Sequence, residues 1–238
     1  MREKTARDNR ALIEFWDKAF SQSEEAAREE RPADPDGWKG LAPSDKLFRA
    51  AAALGARERV LDYGCGSGWG AVIAAKSGCP DVTAADAAPG AVRAAGRCAA
   101  LWGVTDRVRP VCAEADWLRS VPSDSFDGFL CSNVLDVVPP ETAEEIIRES
   151  ARILKRGGEA VIGLNYYLSP EAAAERKMEL TDGRMLYLDG VLRLVSRTDE
   201  EWADLFSPYY RVGALEHFAW PGEKAEARRL FRLRRRED

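Results

Sequence analysis

The chain carries one histidine, His217, so a multi-histidine metal centre is excluded, and its carboxylates show no ordered spacing of a three-carboxylate alternative. No paired-cysteine motif is present. Cys65, Cys79, Cys98, Cys112 and Cys131 lie at least 13 residues apart, which argues against a zinc site or disulfide framework and for free thiols in a reducing compartment. There is no basic excess either: 35 Lys and Arg against 40 Asp and Glu leave a net charge of −5, which removes the footprint expected of a nucleic-acid partner. The basic exceptions are short, Arg228-Arg229 and Arg232 to Arg236 around Leu233. No uninterrupted apolar run approaches the length of a membrane span, and the N-terminus is charged from its second residue. The expectation is a cytoplasmic protein with no membrane partner.

What the chain does have is length enough for one α/β domain with a modest addition, and one organising stretch, Val60-Leu61-Asp62-Tyr63-Gly64-Cys65-Gly66-Ser67-Gly68-Trp69-Gly70. Two apolar residues and a carboxylate run into alternating glycines, and small or apolar residues then resume helically from Ala71 to Ala75. This reads as strand, tight turn, helix, with a ligand at the turn, because glycine admits positive φ and the following helix presents unpaired N–H groups. Read from Gly64, the dinucleotide pattern fails at Trp69. Read from Gly66, its looser form reaches Ala71, so the glycines alone leave a nicotinamide cofactor open. A second strand, Asp81 to Asp86, ends in a carboxylate 18 residues after Gly68, where an acceptor for ribose hydroxyls belongs; helix capping is the plainer alternative.

The turn resembles the first motif of the class I S-adenosylmethionine-dependent methyltransferases, a strand ending in an acidic residue followed by G-x-G-x-G, with Asp62, Gly64, Gly66 and Gly68 matching position by position. Later segments resemble the family in the same order: Asp86 closing the second strand, Asp116 after the third, Phe126-Asp127 opening the fourth, and Gly157-Gly158 before the fifth. The resemblance covers residues 44–165 well and 196–238 by element order. It implies an α/β, Rossmann-like seven-stranded sheet with helices on both faces. It further implies S-adenosylmethionine as cofactor, with the glycine turn on its methionine portion, Asp86 and Ala87 at the ribose, and Ala115, Asp116 and Trp117 around the adenine. Asn133, in the loop after the fourth strand, is expected to carry the cofactor toward the reacting centre. Relatives often place a histidine where this chain has Asp136.

Residues 1–43 read as a helical arm and linker outside the 44–238 domain, with Trp16 and Phe20 four apart on one face, either docking the arm or touching substrate as a lid. Asn165, Tyr166 and Tyr167 close the fifth strand and are candidates for an acceptor wall. The insertion 169–196 contains Asp189-Gly190 between apolar runs, a two-residue hairpin signal, and Thr198 to Glu201 is a capping box. Asp136 and His217 are the candidate catalytic bases, although nothing in the local sequence pairs His217 with a carboxylate. The terminal arginines, alternating with Leu230, Phe231 and Leu233, read as a charged edge strand. The function these features imply is methyl transfer to a nitrogen or oxygen of a small molecule by a monomer or homodimer. The alternatives are a protein methyltransferase, a non-catalytic S-adenosylmethionine-binding module, or a nicotinamide oxidoreductase.

Overall fold

The computed structural model describes residues 2–26, 34–113 and 116–237. Seven strands form one sheet in the order β3-β2-β1-β4-β5-β10-β9: β1 Arg59–Tyr63, β2 Asp81–Asp86, β3 Val108–Cys112, β4 Phe126–Ser132, β5 Leu154–Leu164, β9 Tyr210–Phe218 and β10 Arg228–Arg235. The first five run parallel, and β10 lies antiparallel between β5 and β9. Because side chains alternate across a strand, each central strand feeds two cores. Val60, Val82, Leu130 and Val161 pack against α2 Asp45–Ala53, α3 Trp69–Lys76 and α4 Pro89–Leu101. Their neighbours Leu61, Phe129 and Ile162 pack against α5 Trp117–Ser120, α6 Pro140–Ile153 and α8 Asp199–Phe206. This is the Rossmann-like methyltransferase architecture anticipated from the motifs.

The local signals are realised in the backbone. Ser44 accepts from Leu47 N at 3.2 Å to start α2, and Thr198 and Glu201 cap α8 reciprocally. Pro110 is tolerated because β3 is a sheet edge. Asp189 and Gly190, with φ of 52° and 75°, join β7 Met185–Leu188 to β8 Val191–Val195, and β6 Glu179–Thr181 completes a second, three-stranded sheet. Helix α7, Pro170–Glu175, precedes it.

Two expectations change. The arginine-rich C-terminal strand is not an edge: β10 is bonded on both sides, and Arg228 and Arg229 are buried. Its charges misled because protein groups satisfy them. Arg229 donates to the carbonyls of Asn165 and Arg197 at 2.7 Å, and Arg228 pairs with Glu223 at 2.7 Å. The Gly157-Gly158 pair does not precede the fifth strand but forms a bulge within it. The register jumps there from Phe126–Leu154 to Gly128–Glu159, with Gly157 at φ 68°.

Helix α1, Arg2–Ala26, packs on α4 and on β8. Its expected extent reaches residue 31, and residues 27–33, with the first part of the linker, lie outside the described set.

At Gly68 the backbone has φ 80°, and a Cβ there would stand 2.7 Å from Ala95 Cα in α4. Gly68→Ala is expected to destabilise the fold by about 2–4 kcal/mol through left-handed strain plus overpacking, measurable by urea denaturation.

Candidate functional site

The turn after β1 is shaped by two carboxylates. Asp62, buried at the end of β1, accepts from Ala71 N at 2.9 Å in the first turn of α3. Burial in an apolar surrounding pushes its carboxyl up to about 7, against the opposing pull of that backbone bond. Asp86, at the end of β2, accepts from Gly66 N at 3.0 Å and from Ala88 N at 2.9 Å, so one side chain ties the glycine turn to the start of α4. Desolvation raises its pKa too, with the backbone bonds opposing. Gly64 and Gly66 both have positive φ, and a Cβ on Gly64 would lie 2.2 Å from Val134, which leaves no room for a side chain where the β4 loop crosses the turn.

These groups open into a cavity of about 620 Å³, within the ordinary range for small-molecule sites. Gly64, Gly66, Asp86, Ala87, Asp116, Asn133, Asn165, Trp16 and Phe20 all line it. Asp62 and Gly68 support the turn from behind, outside the lining. Asp116 is exposed and pairs with Arg119 at 3.1 Å. Trp117 packs into the core beside α6, and Leu118 takes the lining position next to Asp116. Ala115 lies outside the described residues. Asn133 has φ 59°, and its side chain donates to Asn165 Oδ1 at 3.1 Å, which joins the ends of β4 and β5 at the cavity wall.

The two candidate bases are placed elsewhere. Asp136 is fully buried and absent from the lining. Its Oδ2 accepts from Asn165 N at 2.6 Å, its Oδ1 has no partner among the described residues, and burial raises its pKa, with Arg229 opposing. His217 does have a carboxylate partner, Asp199 at 2.9 Å, contributed by the start of α8 and so invisible in the local sequence. It also lies outside the cavity lining. Of the fifth-strand aromatics, Tyr166 packs beside Arg228 and Arg176 while Tyr167 is exposed, and neither lines the cavity.

Of the roof, the sequence suggested only the arm and its Trp16 and Phe20. Helix α1 contributes Asn9, Leu12 and Ile13 as well as Trp16 and Phe20, α6 contributes Thr142, Glu145 and Ile146, and β8 contributes Arg193. Phe20 lies over the glycine turn, 3.1 Å from where a Gly66 Cβ would stand, and Asp17 accepts from Gly90 N at 2.6 Å at the start of α4. The opposite end of α1 is anchored by Asn9 to Thr142 at 2.9 Å and by Asp8 to the Tyr187 hydroxyl at 2.7 Å. The amphipathic face of α1 was legible, but its docking partners were not. Among the described residues no cluster of potential metal ligands occurs, and no helix is long and apolar enough to cross a membrane.

Residues 60–158 match the family described as Methyltransferase domain. No curated protein sequence matches the chain. Among solved structures, an S-adenosylmethionine-dependent methyltransferase from Mesorhizobium loti superimposes with a TM-score of 0.63 at 23% identity, covering 85% of this chain and 100% of its own. The N-methyltransferase NodS from Bradyrhizobium japonicum WM9, solved with S-adenosylhomocysteine, gives a TM-score of 0.59 at 18% identity, covering 81% and 85%. The cyclase SpnF gives 0.60 at 18% identity, covering 79% and 81%, so this fold also carries other chemistry.

Asp62 generates a pH prediction. Its folded-state pKa lies above the ordinary 3.8, so the folded protein holds a proton that the unfolded chain releases, and stability falls as pH rises from about 4 to 7. The expected loss is up to about 4 kcal/mol for the ligand-free protein, with Asp86 and Asp136 adding in the same direction. Denaturation of wild type and Asp62→Asn across that range checks it; the variant should show the shallower slope. The chain has the Rossmann-like methyltransferase fold, and residues 60–158, which hold the glycine turn and Asp86, match the methyltransferase-domain family.

Proposed function

We propose that the protein transfers the methyl group of S-adenosylmethionine to a nitrogen or oxygen nucleophile of a small molecule, releasing S-adenosylhomocysteine. The observation that carries this reading is the single cavity in which the glycine turn, Asp86 and Asp116 share walls with α1 and β8. The residues fit the cofactor. Asp86 is half-buried at the strand end and keeps free acceptor capacity for ribose hydroxyls beyond its two backbone bonds. In this reading Asp116 and Leu118, both on the cavity wall, meet the adenine amino group and ring face. The side-chain-free turn at Gly64 and Gly66 admits the methionine portion close to the backbone.

When bound, the cofactor supplies a methyl group already activated by its sulfonium. The task left to the chain is orientation and exclusion of water, which alone accounts for a large rate gain. Asn133 and Asn165 hold the wall between the ends of β4 and β5, and Asn9 and Thr142 present polar groups from the roof. Trp16 and Phe20 act as the lid edge over the turn. Asp136 acts through Asn165: its carboxylate fixes the Asn165 backbone, a positioning role in place of proton removal. His217, outside the cavity lining and paired with Asp199, is given no role in this reading. The roof of α1 favours a small acceptor over a protein side chain.

Calorimetry tests the cofactor. The protein should bind S-adenosylmethionine and S-adenosylhomocysteine, and Asp86→Ala should weaken both by about 1.5–3 kcal/mol, roughly 10- to 150-fold. Binding of NAD and neither sulfur ligand would overturn the assignment, and unchanged affinity in Asp86→Ala would remove that residue from the site.

A further inference from the structure

Arg193 is the single lysine or arginine among the described residues that line the cavity. It comes from β8. Its guanidinium stacks on the Phe15 ring of α1 at 3.8 Å, which fixes the plane of the fork. Among the described residues it makes no ion pair, and its Nε is buried without a hydrogen-bond partner. Arg57 Nε and Arg229 Nη2 are also buried without a hydrogen-bond partner, but each of those guanidiniums has an ion pair, with Glu159 and with Asp199, and Arg193 has none among the described residues. Glu145, the lining carboxylate contributed by α6, is engaged by Arg119 at 2.5 Å.

Arg193 is half-buried, and a guanidinium nitrogen buried without a partner is costly unless a ligand completes it. A rigid fork with free donors matches a carboxylate bidentately. We propose, resting on the methyltransferase reading above, that the methyl acceptor carries a carboxylate and that Arg193 binds it.

The position of Arg193 separates this role from that of holding the cofactor's own carboxylate. Two residues on, Val195 N donates to Asp136 O at 2.6 Å, so β8 is fastened to the loop after β4. The cofactor turn is covered by a different part of α1: Phe20 lies over Gly66, whereas Arg193 rests on Phe15, more than one helical turn away. The acceptor is thereby specified as an amino- or hydroxy-acid whose nucleophile reaches the methyl group while its carboxylate points to the roof.

The test uses matched pairs, 4-hydroxybenzoate with 4-hydroxybenzamide and anthranilate with anthranilamide. Binding to the full-length protein saturated with S-adenosylhomocysteine is measured by calorimetry, and adenosylhomocysteine release from S-adenosylmethionine is followed in parallel. The carboxylate member of a pair should bind at least tenfold more tightly than its amide. Arg193→Met should remove that preference, weakening the carboxylate about 10- to 100-fold while leaving affinity for S-adenosylhomocysteine within twofold; Arg193→Lys should restore part of it. Equal or tighter binding of the amides, or no binding of either acid, overturns the proposal. So does a tenfold loss of S-adenosylhomocysteine affinity in Arg193→Met, which would give the guanidinium to the cofactor. Failure of the wild type to bind S-adenosylhomocysteine at all would instead remove the methyltransferase reading on which the proposal rests.

Discussion

The site depends first on the Asp86 carboxylate. Its two oxygens take the N–H groups of Gly66 and Ala88, so the turn leaving β1 and the turn leaving β2 are held as one rigid edge. Those bonds give both backbone donors a partner, while burial of the carboxylate raises its pKa against them. The same bond fixes where α4 begins. That start has no side-chain cap of its own; Asp17 of α1 supplies one at Gly90 N, so the carboxylate of the arm sits on the positive end of a 13-residue helix.

From that edge the roof follows. Helix α1 reaches from the glycine turn at Phe20 to the second sheet at Asp8, where a buried carboxylate, the Tyr187 hydroxyl and Lys4 make a closed polar cluster. The second sheet in turn is tied through Val195 to the loop that carries Asp136, and Asp136 is tied to Asn165. The chain of contacts runs from the cofactor turn through the arm and the inserted sheet and back to the end of β5. On the proposed reading, the acceptor space lies inside that loop. On this reading the arm is a wall of the site, and its packing includes few buried apolar residues, Leu12 being the main one.

The parts legible in the sequence were those encoded by neighbours. The glycine turn, the Ser44 and Thr198 caps and the Asp189-Gly190 hairpin each need only residues within a few positions, and periodicity placed most strands. Element order then carried the seven-stranded sheet. What escaped depended on distant partners. The charges of β10 looked solvent-exposed because nothing local shows that carbonyls of Asn165 and Arg197 lie beside Arg229. Asp136 was a candidate catalytic carboxylate in the loop after β4, yet it is buried, with Oδ2 taking the N–H of Asn165 just past β5. His217 had no visible partner because Asp199 is brought to it only when α8 packs beside β9. Arg193 was one arginine of a hairpin until the hairpin was set over the cavity against Phe15.

The central claim is that arm, inserted sheet and glycine turn form one site around one cofactor. Amide hydrogen exchange with and without saturating S-adenosylhomocysteine tests it most directly. Residues 12–20 of α1 should slow together with Gly64 to Ser67, because the ligand would be held between them. Slowing at the glycine turn with no change in α1 would contradict the account.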